Sequence, residues 1–213
     1  RARQGQHLGT TGATLHAQTT VNSALTVSGG GNHDISSSRT FNTTATTTWS
    51  ATGGVRIGSG AVVNNTGTWD SQNTNTMSNP FGGTATFNNS GVFKKSVGTG
   101  NTTIASSLTA FNNSGTVQAQ SGTIILQPNG THSGGFNGAG GTVQFALGTH
   151  DLNAGASLAG AIQLMSGTLN LNTPISTATF NQSGGTLQGA ATFTTTVCVV
   201  EPAGKVTVPL DAV

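Results

Sequence analysis

The sequence predicts an all-β fold in which the chain winds into stacked coils, a parallel β-helix or β-solenoid. One observation is a five-residue phrase, Phe-Asn-Asn-Ser-Gly, which begins at Phe87 and again at Phe111. A near copy begins at Val63, so three successive copies start 24 residues apart, and a fixed period in this range is typical of a solenoid. A second observation is that no segment has a helical pattern, because glycine and β-branched residues are dense throughout.

The amino-acid composition argues against several classes of protein. Only 6% of the residues are charged, compared with roughly 25% in a typical soluble domain. Apolar residues make up 33% and recur at short intervals, which argues against a disordered chain. The net charge of +2 is scattered, with Lys94 and Lys95 as the one basic pair, so we expect no nucleic-acid partner. No run of 18 apolar residues occurs, so we expect no membrane span.

Each repeat is predicted to supply an inward anchor and a turn. The predicted anchors are the apolar residues that open the copies of the phrase: Phe41, Val63, Phe87, Phe111, Phe136 and Phe180. The residues predicted to form turns and stacked ladders are Asn64, Asn65, Asn88, Asn89, Asn112, Asn113, Asn181, Gly67, Gly91, Gly115 and Gly184. Asparagine and glycine tolerate left-handed backbone conformations, and stacked amides can hydrogen-bond along the coil axis.

The whole chain, 1–213, is predicted to be a single solenoid. A polar leading segment occupies residues 1–12, the coils occupy 13–197 with a first strand at 13–17, and an atypical C-terminal end occupies 198–213. The spacing of apolar pairs predicts about 18–26 residues per coil and roughly eight or nine coils.

Within one coil the pattern predicts three short strands. In the clearest unit these are 108–111, 115–119 and 123–126. The segments 97–103 and 127–135 interrupt the pattern, and we expect them to be loops that lengthen individual turns.

The repeated units resemble a known group of proteins. The Phe-Asn-Asn-Ser-Gly units, with Gly-Thr-Leu-Asn-Leu at 167–171 and Ser-Gly-Gly-Thr-Leu at 183–187, resemble the repeat regions of very large bacterial secreted and cell-surface proteins. Over residues 39–190 the chain is similar to the β-helical passenger regions of autotransporters and to filamentous-haemagglutinin-type adhesins. The resemblance implies a right-handed coil, an extracellular or cell-surface location and a structural or adhesive role. It carries no catalytic residues.

We therefore expect a stiff rod that acts as a filament subunit or an adhesin stalk, without enzymatic activity, cofactor or metal. The expected partners are further copies of the chain joined end to end, the rest of a longer chain, and surface glycans. One alternative is a glycan- or ice-binding module with a flat threonine-rich face, for which the threonine runs at 43–48 and 192–196 are candidates. A second alternative is a polysaccharide-acting β-helix enzyme, which would need clustered carboxylates. The acids available for this are Asp34, Asp70, Asp151, Glu201 and Asp211.

Three further groups of side chains have competing interpretations. His132 and His150 occur in matching Gly-Thr-His phrases and either share a metal across stacked coils or lie exposed at turns. Trp49 and Trp69 are either sugar-stacking platforms or core residues. Asn-x-Ser/Thr sequons serve either glycan attachment or turn geometry, and they begin at Asn42, Asn64, Asn88, Asn101, Asn112, Asn129 and Asn181.

Overall fold

A computed structural model describes residues 18–207 and 210–211 of the chain. The predicted leading segment 1–12 and the predicted first strand 13–17 lie outside the described residues. The same is true of four residues within the predicted C-terminal end, 208–209 and 212–213.

All regular structure in the described part of the chain is β-strand. The bounds of the first sixteen strands are β1 Gln18–Val21, β2 Leu25–Val27, β3 His33–Ile35, β4 Thr40–Thr43, β5 Thr46–Trp49, β6 Val55–Ile57, β7 Ala61–Asn65, β8 Thr68–Ser71, β9 Thr76–Ser78, β10 Ala85–Asn89, β11 Val92–Lys95, β12 Asn101–Ile104, β13 Ala110–Asn113, β14 Thr116–Ala119, β15 Thr123–Leu126 and β16 Gly130–His132. The remaining strands are β17 Gly135–Phe145, β18 Thr149–Leu152, β19 Ser157–Leu164, β20 Thr168–Leu171, β21 Ile175–Gln182, β22 Thr186–Gly189, β23 Phe193–Val200, β24 Lys205–Thr207 and β25 Leu210–Asp211. No helix in these ranges is long and apolar enough to cross a membrane.

Parallel pairing brings equivalent strands of successive coils together on three faces. The first face is a ten-stranded sheet, in the order β1-β4-β7-β10-β13-β16-β18-β20-β22-β24. The second face begins with β2-β5-β8-β11-β14 and the third with β3-β6-β9-β12-β15, and the long strand β17 joins these two faces into one fifteen-stranded sheet. The chain therefore forms a β-solenoid of about nine turns, as predicted. The hand of the winding stays a prediction.

Coil length changes along the chain. Residues in equivalent positions are 22 apart between Asn42 and Asn64, and 24 apart between Asn64 and Asn88. The spacing falls to 19 between Asp151 and Asn170. The step between the two lengths lies between β13 and β16, where the chain returns to the first face after only 19 residues.

The core is built from side chains that alternate inward along each strand. In β7 and β10 every second residue is buried, as expected for strands that have one face in the core and the other outside. Phe87 is the centre of an aromatic cluster, with edge-to-face contacts to Trp69 and Phe93 and a stacked contact to Phe111 at 5.5 Å between ring centroids. Each such burial contributes about 1.5–3 kcal/mol of gross stabilisation.

Two predicted anchors belong to other columns of the core. Phe41, Val63, Phe87 and Phe111 pair in register on the first face. Phe136, in contrast, pairs with Val117 on the second face, and Phe180 pairs with Ile162 on the third face. Both side chains are buried, as expected for anchors that point inward. They lie in other columns than Phe87 and Phe111, so the predicted register is wrong for these two residues.

The error in register has a local cause. The segment 127–135, predicted to be a loop, contains strand β16, which continues the first face. Gly130 occupies the position that follows Phe111 in the column, so no apolar residue marks the strand in the sequence. The predicted loop 97–103 likewise overlaps β12, which pairs with β9 and β15.

Candidate functional site

A column of amide side chains runs along the outer surface of the first face. Asn64 Nδ2 donates to Asn42 Oδ1 at 2.9 Å, Asn88 Nδ2 to Asn64 Oδ1 at 2.9 Å, and Asn112 Nδ2 to Asn88 Oδ1 at 3.0 Å. Each donor points toward the N-terminal end of the solenoid. We call this column the outer ladder.

A second amide column, the inner ladder, lies in the core directly beside the outer ladder. Asn65, Asn89 and Asn113 are buried, because each is two residues after an inward anchor. Asn65 Nδ2 donates to Asn89 Oδ1 at 2.7 Å, and Asn89 Nδ2 donates to Asn113 Oδ1 at 2.8 Å. These donors point toward the C-terminal end, opposite to those of the outer ladder. Each amide also donates to a backbone carbonyl of the next coil, for example Asn65 to Val92 O at 3.0 Å, so the buried polar atoms are satisfied.

The corner glycines are needed for close stacking. A Cβ atom on Gly91 would lie 2.0 Å from the carbonyl oxygen of Gly67, and one on Gly115 would lie 2.0 Å from that of Gly91. A Cβ on Gly67 would lie 2.2 Å from the carbonyl oxygen of Ala45. None of these three glycines has a positive φ, so the expectation of left-handed turns is wrong here. The backbones of successive corners approach so closely that no side chain fits.

Asn181 and Gly184 lie away from this corner. Asn181 is exposed on the third face opposite Gln163, and Gly184 follows in the turn before β22. They were predicted to continue the ladder, and the structure places them on another side of the coil. The hydrogen-bonded column there consists of glutamines, with Gln144 Nε2 donating to Gln163 Oε1 at 2.6 Å.

His132 and His150 come together inside the coil, not at exposed turns. His132 Nε2 and His150 Nδ1 are 3.1 Å apart, and both side chains are fully buried. His132 packs edge-on against Phe136 with ring centroids 5.0 Å apart. A Cβ atom on Gly130 would lie 2.5 Å from His132 Cε1, so the imidazole fills the space that the missing side chain leaves in the anchor column.

The hydrogen bonds assign the tautomers of this pair. His150 Nε2 lies 2.9 Å from the carbonyl oxygen of Leu147, which only accepts, so Nε2 carries the proton and Nδ1 is free to accept from His132 Nε2. Burial, together with the neighbouring imidazole, lowers the pKa of His132 to about 3. Burial lowers the pKa of His150 to about 4, against the opposing effects of Leu147 O and Asp151. Both rings are therefore neutral at pH 7, and His132 Nδ1 has no hydrogen-bond partner within the described part of the chain.

The interior also holds a lysine. Lys95 is fully buried in β11, and its ammonium group donates to the carbonyl oxygen of Asn73, which also accepts from Thr102 Oγ1 at 2.9 Å. Burial lowers the pKa of Lys95, and the nearby carboxylate of Asp70 opposes the shift. Alternation along β11 therefore places Lys95 inside the coil and its neighbour in the basic pair, Lys94, outside.

The acidic residues do not converge in the described structure. Asp34 forms an ion pair with Arg56 on the third face at 2.6 Å, Asp70 accepts from Ser96 on the second face, and Asp151 lies on the first face. Among the described residues no group of three or more His, Cys, Asp or Glu side chains is placed to hold a metal ion. Trp49 and Trp69 are core residues, which removes them as sugar-stacking platforms.

A polar groove opens on the outer surface where the coil length changes. Two adjoining cavities of about 300 and 310 Å³ share Asn112 and Thr131 at the step from β13 to β16. The first is lined by side chains of the corner, including Asn88, Ser114 and Ser133. The second extends across the face and is lined by Ala110, Asn112, Asn129, Gly130, Thr131, Thr149 and Asp151. We call the two cavities together the step groove.

The chain was compared with known proteins, and no family model, curated protein or solved structure matches it.

Proposed function

We propose that the chain is a stiff structural rod of an extracellular or cell-surface protein, acting as a filament subunit or an adhesin stalk. The observation that carries the proposal is that parallel strand pairing joins every coil to the next along the whole described stack. Ten strands stacked about 4.8 Å apart make the first face roughly 43 Å long. Each coil contacts mainly its neighbours, so stiffness and stability are properties of the stack as a whole.

The side chains favour a structural role, as a spacer, over a catalytic role. Polar positions are filled by neutral amides and hydroxyls that bond to the same residue types in the next coil, as in the outer and inner ladders. Such a surface carries little charge that could attract charged ligands. The unpaired backbone groups of the strands at the ends of the stack can pair with strands of another coil. The extracellular location and the adhesin-like role are drawn from the resemblance of residues 39–190 to surface-protein repeats.

End-to-end association would extend the rod. Strand β25 covers only the start of β23, at Phe193 and Thr194. Beyond that point Cys198 and Val200 continue inward columns, opposite Phe180 and Gln182, yet both are exposed. A further coil placed on this part of β23, from a second copy or from more of the same chain, would cover them.

Negative-stain microscopy of the purified chain tests the proposal. We expect thin filaments, or at least rods of uniform width, with a width set by one coil. The matched control is Cys198→Lys, which places a charge on the open end without touching any ladder and should leave single rods. Dispersed, compact particles without rod shape would overturn the proposal, whereas rods that stay single in the unaltered protein would overturn only the filament role.

The threonine-face alternative has limited support in the geometry. Thr149, Thr168 and Thr186 follow one another on the outer surface of the first face. In earlier coils the same column holds Val62 and Ala110, which interrupt it. Within the threonine run at 43–48, Thr43 and Thr47 point inward and are buried. Ice binding and enzymatic action on polysaccharides stay predictions that no observation here favours.

A further inference from the structure

We infer that the step groove is a binding subsite for a neutral sugar, held through Asn129, Thr149 and Asp151. The inference does not depend on the rod proposal, since a single folded chain is enough to bind. It assigns the chain one specific contact point on an otherwise repetitive surface.

The groove exists because the sheet is locally opened. Strand β16 pairs with β13 only through Asn113 and His132, with an isolated bridge between Ala110 and Asn129. Between these points the Thr131 backbone N–H donates to the side-chain oxygen of Asn112 at 3.1 Å, in place of a backbone carbonyl. The Thr131 hydroxyl donates to the same oxygen at 3.2 Å. The outer ladder ends here, and the regular surface gives way to a depression.

Polar groups with unused hydrogen-bonding capacity face this depression. The Thr149 backbone N–H donates to Asn129 Oδ1 at 2.8 Å, which orients the amide and leaves Asn129 Nδ2 without an acceptor among the described residues. Asn170 Nδ2 donates to Asp151 Oδ1 at 3.0 Å, which holds the carboxylate, and no described residue donates to Oδ2. The Thr149 hydroxyl also has no protein partner in the described structure. One fixed donor, one fixed acceptor and one adaptable hydroxyl therefore line the same cavity.

This set matches the chemistry of adjacent sugar hydroxyls. Each hydroxyl of a sugar both donates and accepts, so one can accept from Asn129 Nδ2 while its neighbour donates to Asp151 Oδ2. Neutral sugars fit better than anionic ones, because the second cavity contains a carboxylate and no basic side chain. No aromatic ring lines that cavity either, so stacking adds nothing and we expect a dissociation constant in the range of about 1 mM. Many rods on one surface would convert such weak contacts into firm attachment.

The experiment is a nuclear magnetic resonance titration of the full ¹⁵N-labelled chain. The probes are the methyl glycosides of glucose, galactose and mannose, added up to about 50 mM, well above the expected dissociation constant. The side-chain amide signal of Asn129 reports on the groove directly. We expect at least one probe to shift this signal and the backbone signals of Thr131 and Asp151 in a saturable way.

Variants distinguish sugar binding in the step groove from general effects on the chain. Asn129→Ala and Asp151→Asn should each weaken binding about tenfold or more, because each removes one directional contact to the sugar. Asp151→Asn can keep the acceptor for Asn170, so the neighbouring coil stays intact. Asn42→Ala, on the outer ladder far from the groove, is the matched control and should bind as the unaltered chain does.

The outcomes that overturn the inference are equally specific. They are the absence of any saturable shift with all three probes, equal binding by Asn129→Ala or Asp151→Asn, and stronger binding of glucuronate than of the neutral glycosides. A chain that binds sugar but forms no rod would contradict the proposed function alone, and a rod that binds none would contradict this inference alone.

Discussion

The early coils and the late coils stack in the same parallel manner, but their interiors contain different side chains. In the early coils, of 22–24 residues, three separate strands are joined by corners, and the inner ladder of Asn65, Asn89 and Asn113 lies beside the first corner. In the late coils the equivalent inner positions are Leu152 and Leu171. There the strands of the second and third faces run together as β17, β19, β21 and β23.

The difference shows what the buried amides are for. In the early coils each inner amide donates to a carbonyl just beyond the corner of the next coil, such as Thr116 O for Asn89 at 3.1 Å. These bonds join the first corner of one coil to the second face of the next, and a buried amide that lost its partner would cost about 1–3 kcal/mol. In the late coils the same position holds leucine and is purely apolar. At the boundary between the two regions the same inner position holds His132. Its imidazole follows the last amide of the early coils and precedes the first leucine of the late coils.

The largest expected effect comes from placing a charge in the early core. Phe111→Asp buries a carboxylate against Phe87 and Phe93, and we expect loss of cooperative folding. Thermal unfolding followed by circular dichroism is the measurement. Val97→Asp, at an exposed apolar residue, is the control and should unfold as the unaltered chain does. An unchanged transition for Phe111→Asp would show that the register is wrong.

Acid should weaken the boundary between the two regions. His132 and His150 have pKa values of about 3 and 4 in the folded chain and a reference value of 6.5. Because the unfolded chain binds more protons between these values, their contribution to stability is complete above pH 6.5 and declines as the pH falls toward 3–4. At pH 5 the loss is about 2 kcal/mol for each histidine.

Urea unfolding between pH 7 and pH 4.5 measures this effect. The double variant His132→Leu, His150→Leu should lose most of the pH dependence in this window, whatever its stability at pH 7. Stability that rises on acidification of the unaltered chain would contradict the assigned protonation states.

Removing one inner amide should destabilise the early coils by about 3 kcal/mol. Asn89→Leu leaves Asn113 Oδ1 without its donor and one N–H of the Asn65 amide without its acceptor, and unsatisfied buried groups cost about 1–3 kcal/mol each. Its matched control is Asn88→Leu on the outer ladder, where water can replace the lost bonds and we expect less than about 1 kcal/mol. Chemical denaturation of the two variants gives the comparison, and equal losses would mean that burial of the ladder is unimportant.

A smaller effect is expected at the corners of the early coils. Gly91→Ala forces a Cβ atom against the carbonyl of Gly67, and we expect a loss of about 2 kcal/mol. Gly31→Ala has open space around the new Cβ atom and should change stability by less than about 0.5 kcal/mol. The difference in urea midpoint between the two variants is the observable. If Gly91→Ala were as stable as Gly31→Ala, close stacking would not explain the corner glycines.

The early region was the more predictable part of the fold. The 24-residue spacing of Phe87 and Phe111 sufficed for the coil, and alternation from an inward Phe87 implies that Asn88 faces out and Asn89 faces in. The late region is less predictable because Gly130 carries no apolar side chain, so the sequence pattern places the next anchor at Phe136. The step groove depends on the pairing of β13 with β16 and on which amide atoms stay free, and neither is encoded in a local pattern. Burial of His132, His150 and Lys95 depends likewise on packing across coils.

The central claim is that both regions belong to one continuous stack, and a distance along the first face tests it most directly. Thr40 and Thr186 are in the same outer column, seven strand spacings apart, so they should lie roughly 34 Å from each other. Spin labels on cysteines at these two positions, in a chain with Cys198→Ser, allow the distance to be measured by pulsed electron paramagnetic resonance. We expect one narrow distribution near this value after allowance for the label arms. A broad distribution, or a maximum well away from it, would contradict a single stiff solenoid.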